Sequence, residues 1–269
     1  MIPMTPFLFV VLLAVVENAV IPTDDTDNRI LGGEDASIFE FPSMAYLFKV
    51  EKTGGLRPSG RGCGATIISD RWVLTAGHCV ERALSSNVML SVGSEYFDLE
   101  SIHHASRIII HEEFIHEKEG DISINIENDI ALVKVKEPFH LDNLTIKAAR
   151  LASKDEDIRP GSIVTTAGWG LTKGNKETKF LLKTNLEIIS RQNCKRRMGS
   201  ISIDRRNFCA RGSRGKRTCA GDSGSPVFSN GEVIGVNSLI TKNCTKSPRP
   251  NVSTRVAYFR HWIKENTGI

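Results

Sequence analysis

The chain has 269 residues, of which 40% are hydrophobic and 25% charged, and its net charge at neutral pH is +4. This is an ordinary balance for a globular protein with enough material for a large core, and it argues against a disordered or fibrous chain. No repeat, low-complexity tract or nucleic-acid-binding module is present, so no nucleic-acid partner is expected.

The N-terminus predicts a secretory signal peptide over residues 1–19. Phe7–Val16 is a run of ten apolar residues, too short to cross a bilayer as a helix, and a polar stretch follows it. The segment before the run carries no Lys or Arg, and a buried strand is the alternative. We therefore expect a secreted, extracellular protein, and no later stretch predicts a membrane anchor.

Short strand signals separated by turn residues fill the body of the chain, as in antiparallel barrels or sandwiches. Gly64–Ile68 and Trp72–Thr75 are predicted to pair around a turn at residues 69–71. Further strands are predicted over residues 88–92, 107–110, 130–135, 162–169, 183–189 and 233–239. Apolar residues at helical spacing predict one helix, from Thr254 to Lys264.

Three short motifs carry candidate catalytic groups: T-A-G-H-C at residues 75–79, N-D-I-A-L at 128–132 and C-A-G-D-S-G-S-P at 219–226. A serine hydroxyl is a poor nucleophile at neutral pH, so it needs a nearby base. Glycines beside Ser223 let the loop turn tightly and aim N–H groups at a developing oxyanion. A G-D-S-G string alone is also typical of a surface turn, so the other two motifs decide the interpretation.

In this order, the three motifs resemble the signatures of chymotrypsin-like serine proteases of the trypsin family, and the similarity runs from Ile30 to about Ile263. The resemblance implies an all-β protease domain over residues 30–269. It would consist of two packed antiparallel six-stranded β-barrels, with a boundary near residues 140–155, and a C-terminal α-helix. Proteins or peptides would be its substrates, and protein inhibitors are possible partners.

The resemblance also assigns roles to individual residues. Ser223 would attack a peptide carbonyl, His78 would take and return the proton, and Asp129 would hold the imidazole in its correct tautomer. Ser238 matches the serine that hydrogen-bonds the triad aspartate, and the N–H groups of Gly221 and Ser223 match the oxyanion hole. The mechanism needs no metal or organic cofactor.

Residues 20–29 are similar to an activation propeptide. The segment is acidic and ends at Arg29, and a trypsin-like protease that cuts there would free the amine of Ile30. This amine can pair with the carboxylate of Asp222 in a buried site where either charge alone would be costly. The pair would order the oxyanion loop, so the chain is predicted to be a zymogen. A flexible N-terminus is the alternative. Loss of one basic and four acidic residues in 1–29 leaves 34 basic and 27 acidic residues, a net charge of +7.

The six cysteines suggest disulfides in an oxidising compartment, although the residues alone leave the pairing open. Family resemblance implies the pairs Cys63–Cys79, Cys194–Cys209 and Cys219–Cys244. No Cys-x-x-Cys motif is present, which argues against zinc, and the histidines at 103, 104, 111 and 116 are interpreted as solvated loop residues. Asn143 is the best of three candidate N-glycosylation sites.

The predicted primary specificity pocket departs from the family pattern. The resemblance places Arg217 on the pocket floor, where a cation would repel Lys and Arg side chains. Leu239 and Ile240 stand where the family has Trp and Gly, and Asn251 replaces another glycine. Either the pocket selects acidic or small residues, or it is blocked and the protein is a binding or regulatory homologue.

Basic residues concentrate late in the chain. They form the runs Lys195-Arg196-Arg197 and Arg205-Arg206 and the segment 211–217. Such runs are most often solvated loops, and this is the interpretation preferred here. An anionic partner, such as a polyanionic glycan or an acidic segment of a substrate, is the alternative.

Overall fold

The computed structural model describes residues 33–50, 58–97, 101–119, 122–153, 158–172, 176–199, 201–212, 218–239 and 249–269. The predicted signal peptide and propeptide, with Arg29 and Ile30, lie outside these residues, as do Arg217, Ile240 and Cys244. No helix among the described residues is both long enough and apolar enough to span a bilayer.

The first half of the chain forms a closed barrel. The elements of this half of the chain are β1 (Glu34–Asp35), β2 (Met44–Lys49), β3 (Cys63–Ile67), β4 (Trp72–Thr75), α1 (Gly77–Val80), β5 (Val88–Val92), β6 (Ile102–Ile110), β7 (Ile115–Glu119), β8 (Ile122–Glu127) and β9 (Ala131–Val135). The barrel follows the order β2-β3-β4-β9-β6-β5, and all of its pairs are antiparallel. Strands β7 and β8 form a separate hairpin that leads to Asp129.

The second half forms another barrel. Its elements are β10 (Ile163–Gly168), β11 (Leu182–Ile189), α2 (Arg191–Met198), β12 (Asn207–Arg211), β13 (Pro226–Ser229), β14 (Glu232–Leu239), β15 (Asn251–Arg255) and α3 (Arg260–Thr267). The order β11-β10-β13-β14-β15-β12 closes because β12 pairs with β11, and β1 adds to β11 from outside the ring. The predicted all-β fold of two six-stranded barrels with a C-terminal helix is confirmed.

Small and branched apolar side chains fill the first barrel because alternate strand residues point inward. The inward set is almost fully buried and comprises Ala45, Leu47, Ala65, Ile67, Val73, Leu90 and Val133. The predicted β3–β4 hairpin is present, with Thr66 opposite Leu74 and Ile67 opposite Val73. Core packing therefore holds the two strands that precede the T-A-G-H-C motif.

The C-terminal helix begins later than the spacing predicted. Thr254 and Arg255 belong to β15, residues Val256–Phe259 form a 3-10 turn, and α3 follows. Strand pairing of Thr254 with Val236 prevails over helical spacing here. The apolar face of this C-terminal segment packs on the first barrel, where Phe259, Trp262 and Ile263 join Leu74, Ile130 and Leu132 in one buried cluster.

The interpretation of four histidines as solvated loop residues is wrong: the ring of His111 is half-buried against Phe259, with centroids 5.2 Å apart, and the other three lie on strands. His103 and His104 lie on β6, and the ring of His103 packs against Phe139 with centroids 4.7 Å apart. His116 lies on β7 with only 5% of its side chain exposed. A bulge-containing strand longer than predicted carries the first pair, and a hairpin that was not predicted carries the third.

The two barrels come into direct contact at Gly64. A Cβ at this position would overlap Ser225 of the second barrel, whose Cα would be 2.7 Å away. The N–H of Gly64 donates to the carbonyl oxygen of Ser223 at 2.8 Å. Only glycine permits this contact, which fixes one edge of the serine loop against the first barrel.

We expect Gly64→Ala to destabilise the protein by about 1–3 kcal/mol, because the added methyl group has no space without a shift of backbone. The variant should also lose reactivity at Ser223, since the displaced strand carries the donor to its carbonyl. Urea denaturation measures the first effect and labelling by a serine-directed probe measures the second. Gly231→Ala is the control, because its Cβ would meet nothing within 4 Å and only the positive φ opposes it. Equal losses in both variants would contradict the role of this contact.

Candidate active site

His78 and Asp129 form a tightly bonded pair at the mouth of the first barrel. The Nδ1 atom of His78 is 2.7 Å from Oδ2 of Asp129, and the backbone N–H of His78 donates to Oδ1 at 2.9 Å. A disulfide between Cys63 and Cys79, with Cα atoms 6.1 Å apart, ties the short helix α1 to the start of β3. Because the carboxylate accepts at Nδ1, the neutral imidazole carries its proton there and presents Nε2 as a base.

Asp129 is only 2% exposed, and its polar atoms are bonded on several sides. The hydroxyl of Ser238 donates to Oδ2 at 2.6 Å, and that of Thr254 donates to the backbone carbonyl of Asp129 at 2.8 Å. Burial raises the pKa of this carboxyl, but the charge and hydrogen bonds of His78, with the bond from Ser238, hold the pKa below its ordinary value. Asp129 therefore stays ionised beside the imidazole.

Asn128 supports this arrangement and was not identified from the sequence. It has φ of 48°, a left-handed conformation that Asn tolerates better than most residues. Its Nδ2 donates to the carbonyl of Glu113 at 2.7 Å, and its Oδ1 accepts from Arg206 at 3.3 Å. The turn that aims Asp129 at His78 is thus fastened to the β7 side of the hairpin and to the second barrel.

The Ser223 loop contains two glycines with positive φ, at 101° for Gly221 and 78° for Gly224. The N–H of Gly224 donates to the carbonyl of Asn237 at 2.7 Å, which fixes the loop to β14. A Cβ on Gly224 would overlap both the carbonyl oxygen of Gly64 and the hydroxyl of Thr75. The loop is therefore pressed against the first barrel, and Ser223 lies half-buried between the barrels.

The Sγ atom of Cys79 lies near both the Ser223 loop and the imidazole of His78. A Cβ on Gly224 would lie 3.2 Å from Sγ of Cys79, and the same sulfur is 3.9 Å from Nε2 of His78. The loop that carries Ser223 therefore passes close to the imidazole of His78. Within the part of the chain that the structure describes, no hydrogen bond joins the hydroxyl of Ser223 to His78. Such bonds are commonly long in free enzymes and tighten in the substrate complex.

The N–H groups of Gly221 and Ser223 have no acceptor among the described residues. Neighbouring amides of the loop are engaged: Asp222 donates to the carbonyl of Cys219 at 2.9 Å and Ser225 to that of Asp222 at 3.2 Å. Two uncommitted donors flanking the nucleophile are what a developing oxyanion requires.

Asp222 is a buried carboxylate behind the loop, with 1% exposure. Its Oδ1 accepts from the N–H of Gly170 at 2.9 Å and its Oδ2 from that of Cys219 at 2.8 Å. Burial raises its pKa to about 6, the two backbone bonds opposing the shift. Cβ atoms on Gly168 or Gly170 would collide with it. No cation among the described residues pairs with Asp222.

Two orphan polar groups lie on segments that flank the predicted specificity pocket. The hydroxyl of Thr218 and Nδ2 of Asn251 are buried and have no hydrogen-bond partner among the residues that the structure describes. Thr218 directly follows Arg217 in the chain, and Asn251 opens β15, whose next residue pairs with Leu239. Thr218 was missed although its place next to Arg217 was a usable signal. The structure does not describe Arg217 or Ile240.

A second histidine–carboxylate pair, which was not predicted from the sequence, adjoins the first. The ring of His116 lies edge-on to that of His78, with centroids 5.9 Å apart. Nδ1 of His116 is 2.9 Å from a carboxylate oxygen of Glu81, which Lys118 also contacts at 3.3 Å. Burial lowers the pKa of His116 despite the bond to Glu81. A neutral ring therefore packs beside the candidate base.

The remaining cysteines follow the same plan. Cys194 forms a disulfide with Cys209, which joins α2 to β12. Together with Cys63–Cys79, this makes two of the three disulfides that the resemblance implies. Cys219 is also disulfide-bonded, while its implied partner Cys244 lies outside the described residues. Cys63, His78 and Cys79 have ligand atoms within 4.8 Å of one another, but the two sulfurs are bonded together and offer no thiolate to a metal.

Comparisons with known proteins agree with this geometry. The family model described as Trypsin matches residues 30–263. A trypsin of Phaedon cochleariae is 30% identical over 90% of this chain and 89% of its own, and a brachyurin of Leptuca pugilator is 31% identical over 89% and 99%. The structure of the scabies mite inactivated protease paralogue S-D1 superimposes with a TM-score of 0.76 and 26% identity, covering 89% of this chain and 97% of that one. The chain belongs to the trypsin family of chymotrypsin-fold serine proteases.

Proposed function

We propose that this chain is a secreted zymogen that becomes a serine endopeptidase when a trypsin-like protease cuts after Arg29. The observation that carries the proposal is the bonding of Asp129. Its two carboxylate oxygens are committed to His78 and Ser238, which fixes the imidazole in the one tautomer that serves a nucleophilic serine. Nothing in the folding of the barrels requires this set of residues to be complete.

The reaction begins when a peptide carbonyl lies against the N–H groups of Gly221 and Ser223. Nε2 of His78 takes the proton of Ser223 as its oxygen attacks the carbonyl carbon, and Asp129 stabilises the imidazolium that forms. The imidazolium then returns the proton to the leaving amine, which departs and leaves an acyl-enzyme. Water hydrolyses this ester by the same proton transfers in the reverse direction. Loss of one oxyanion donor from such a site typically costs about 3–4 kcal/mol in the barrier.

Activation would act through Asp222. The new amine of Ile30 is the cation that this buried carboxylate lacks among the described residues. An ion pair there would hold Asp222 in place, and Asp222 in turn accepts the N–H of Cys219 at the start of the oxyanion loop. Cleavage at Arg29 would thereby stabilise the loop between Cys219 and Ser223.

The pocket favours acidic or small side chains at the residue before the cut bond. Arg217 brings a positive charge to the floor by its sequence position, and the orphan groups of Thr218 and Asn251 can donate to a carboxylate. By its sequence position Ile240 would narrow the entrance relative to the family pattern, and Leu239 lacks the flat face of the tryptophan that the family has there. Asn143, which is exposed on a loop, is the proposed glycan site. Protein inhibitors of the family would be further partners.

The second candidate function is a binding or regulatory protein with a blocked pocket. Two observations favour it: Ile240 in the sequence position where the family has a glycine, and the structural similarity to a scabies mite paralogue whose name describes it as inactivated. In this alternative the triad persists without processing general substrates.

A serine-directed covalent probe and a peptide library together distinguish the two candidates. After cleavage at Arg29, we expect the probe to label Ser223 and the library to be cut after acidic or small residues, with both signals lost in Ser223→Ala. Cleavage after Lys or Arg would contradict the pocket assignment. Absence of labelling, with Ile30 verified as the new N-terminus by mass spectrometry, would reject the enzyme in favour of the blocked homologue.

A further inference from the structure

The surface around α2 is unusually basic. Residues 190–212 contain seven Lys or Arg residues and a single acidic residue, Asp204. The bond from Nε of Arg191 to the carbonyl oxygen of Asp204, 2.9 Å long, holds the loop that follows the helix against its first turn. The Cys194–Cys209 disulfide fixes the same helix to β12. This charge is therefore carried on a rigid part of the second barrel.

The nearby carboxylates are already engaged by Arg206 and Arg211. Arg206 bonds Asp204 at 2.6 Å and Glu127 at 2.8 Å, with only 21% of its side chain exposed. Arg211 lies 3.8 Å from Glu187. These two arginines thus neutralise the acids that border the surface, and Arg206 has a structural role beside Asp129.

Four exposed cations remain, and we call them the basic face: Lys195, Arg196, Arg197 and Arg205. Among the residues that the structure describes, no carboxylate forms an ion pair with any of them. Arg197 donates to the neutral amide of Asn193 at 3.0 Å, and Arg205 lies over the ring of Tyr258 at 5.2 Å. Because Cys194 and Met198 bury the inner side of α2, residues 195–197 project outward.

The helix dipole accounts for part of this pattern only. Cations in the last turn of a helix are favourable, which suits Lys195, Arg196 and Arg197. It does not account for Arg205, which lies outside the helix. Nor does it account for the lack of carboxylates that elsewhere on this protein accompany exposed cations, as Glu232 accompanies Arg150 at 3.0 Å.

We propose that the basic face binds a linear sulfated polysaccharide. Three of its four cations are arginines, whose planar guanidinium groups match the oxygens of a sulfate. A protein partner would need apolar anchors, and the exposed large hydrophobic side chains of the described residues all lie elsewhere, namely Phe39, Leu84, Tyr96, Ile115, Leu144, Ile163 and Phe180. A flexible chain of repeating sulfates needs no such anchor.

The inference does not depend on catalysis, because no residue of the basic face belongs to the candidate active site. It adds to the proposed function a means of retaining the protein on extracellular glycans. Bound protein would stay concentrated at that surface and would not diffuse away. Attraction of this kind acts over about 8 Å at physiological ionic strength and weakens as salt rises.

Heparin affinity of the Ser223→Ala chain tests the proposal, because this chain cannot digest itself. We expect the triple variant Arg196→Glu, Arg197→Glu, Arg205→Glu to bind heparin about 10²-fold more weakly at 0.15 M NaCl, since each cation facing a polyanionic surface contributes about a tenfold factor or somewhat less. The matched control is Lys147→Glu, Arg150→Glu, Lys176→Glu, which changes the net charge equally at exposed positions outside the basic face. The control should keep nearly all of the affinity.

Three results would overturn the proposal. Equal loss in the two triple variants would show that net charge alone drives binding. Equal affinity for desulfated heparin would reject the role of sulfate, and equal affinity for a DNA oligonucleotide of matched charge would reject a polysaccharide ligand in particular. Thermal melting of both triple variants verifies folding, because all six positions are exposed and should change stability little.

Discussion

We expect Asp129→Asn to lower kcat of the activated chain by about 10⁴, a magnitude established for this change in well-studied members of the family and not one calculated from this site. The physical reason is visible in the bonding. The backbone N–H of His78 can only donate, so the amide oxygen of Asn must take the Oδ1 position and the NH₂ group must take that of Oδ2. Nδ1 of His78 then has to accept a hydrogen bond, which moves the proton to Nε2 and leaves no base for Ser223.

Burst and steady-state kinetics on the best library peptide measure this effect, with KM expected to change little. Ser238→Ala is the matched comparison: it removes one bond of 2.6 Å to the same carboxylate but keeps the tautomer. A hydrogen bond to a charged group contributes about 1.5–3 kcal/mol, so this variant should lose roughly 10- to 100-fold. If Asp129→Asn kept its activity within tenfold of the parent, the assignment of Asp129 as the residue that orients the base would be wrong.

The second large effect is expected from Asp222→Asn. The cleaved variant should lose about 10²–10³ in kcat, because the Ile30 amine would lack its counter-charge and the oxyanion donors would lose their support. The same library peptide measures the loss. Labelling by a small serine-directed probe should fall in parallel, since that reaction also uses the oxyanion donors. Unchanged rates in the cleaved variant would contradict the proposed activation mechanism.

The same carboxylate gives the uncleaved chain a distinctive pH dependence. Burial raises the pKa of Asp222 from an ordinary 3.8 to about 6, so the folded chain holds this proton more tightly than the unfolded chain. Its contribution to stability is complete below pH 4 and is lost as pH rises towards 6, by about 3 kcal/mol in total. Urea denaturation of Ser223→Ala between pH 4 and 7, with and without Asp222→Asn, isolates this group. If the free energy of unfolding changed with pH in the same way with and without Asp222→Asn, the raised pKa of Asp222 would be refuted.

The sequence predicted individual strands from local signals, whereas the two-barrel arrangement and the triad roles came from the resemblance carried by three short motifs. The strand preceding His78 is a short run of four buried residues that follows a turn, and the residues around Ser223 include glycines whose positive φ values the loop requires. Long-range structure left no such signal. Asn128 acquires its importance from Arg206, 78 positions away, and from a backbone carbonyl of the hairpin.

Two elements were missed for identifiable reasons. Strand β7 reads Ile-His-Glu-Lys-Glu, which has one apolar residue and no alternation, so its pairing with β8 and the bond from His116 to Glu81 were not predictable. Helix α2 was noticed only as a run of charge. Its N-cap was available in the sequence, since Ser190 accepts from the N–H of Asn193 at 3.2 Å, but its mean hydropathy is too low for an apolar stripe to reveal it.

An early strand packs on the second barrel and a late helix packs on the first, and this arrangement affects folding during synthesis. Strand β1 extends the second barrel, and the helix at the end of the chain covers Leu74, Ile130 and Leu132 of the first. A nascent chain on the ribosome therefore has these side chains uncovered until Phe259, Trp262 and Ile263 emerge. His78 follows the strand that contains Leu74, and Asp129 directly precedes Ile130, so the segments that carry this pair lack their packing partners until then. The positions of His78 and Asp129 thus depend on residues 259–263, which are distant in the chain from both.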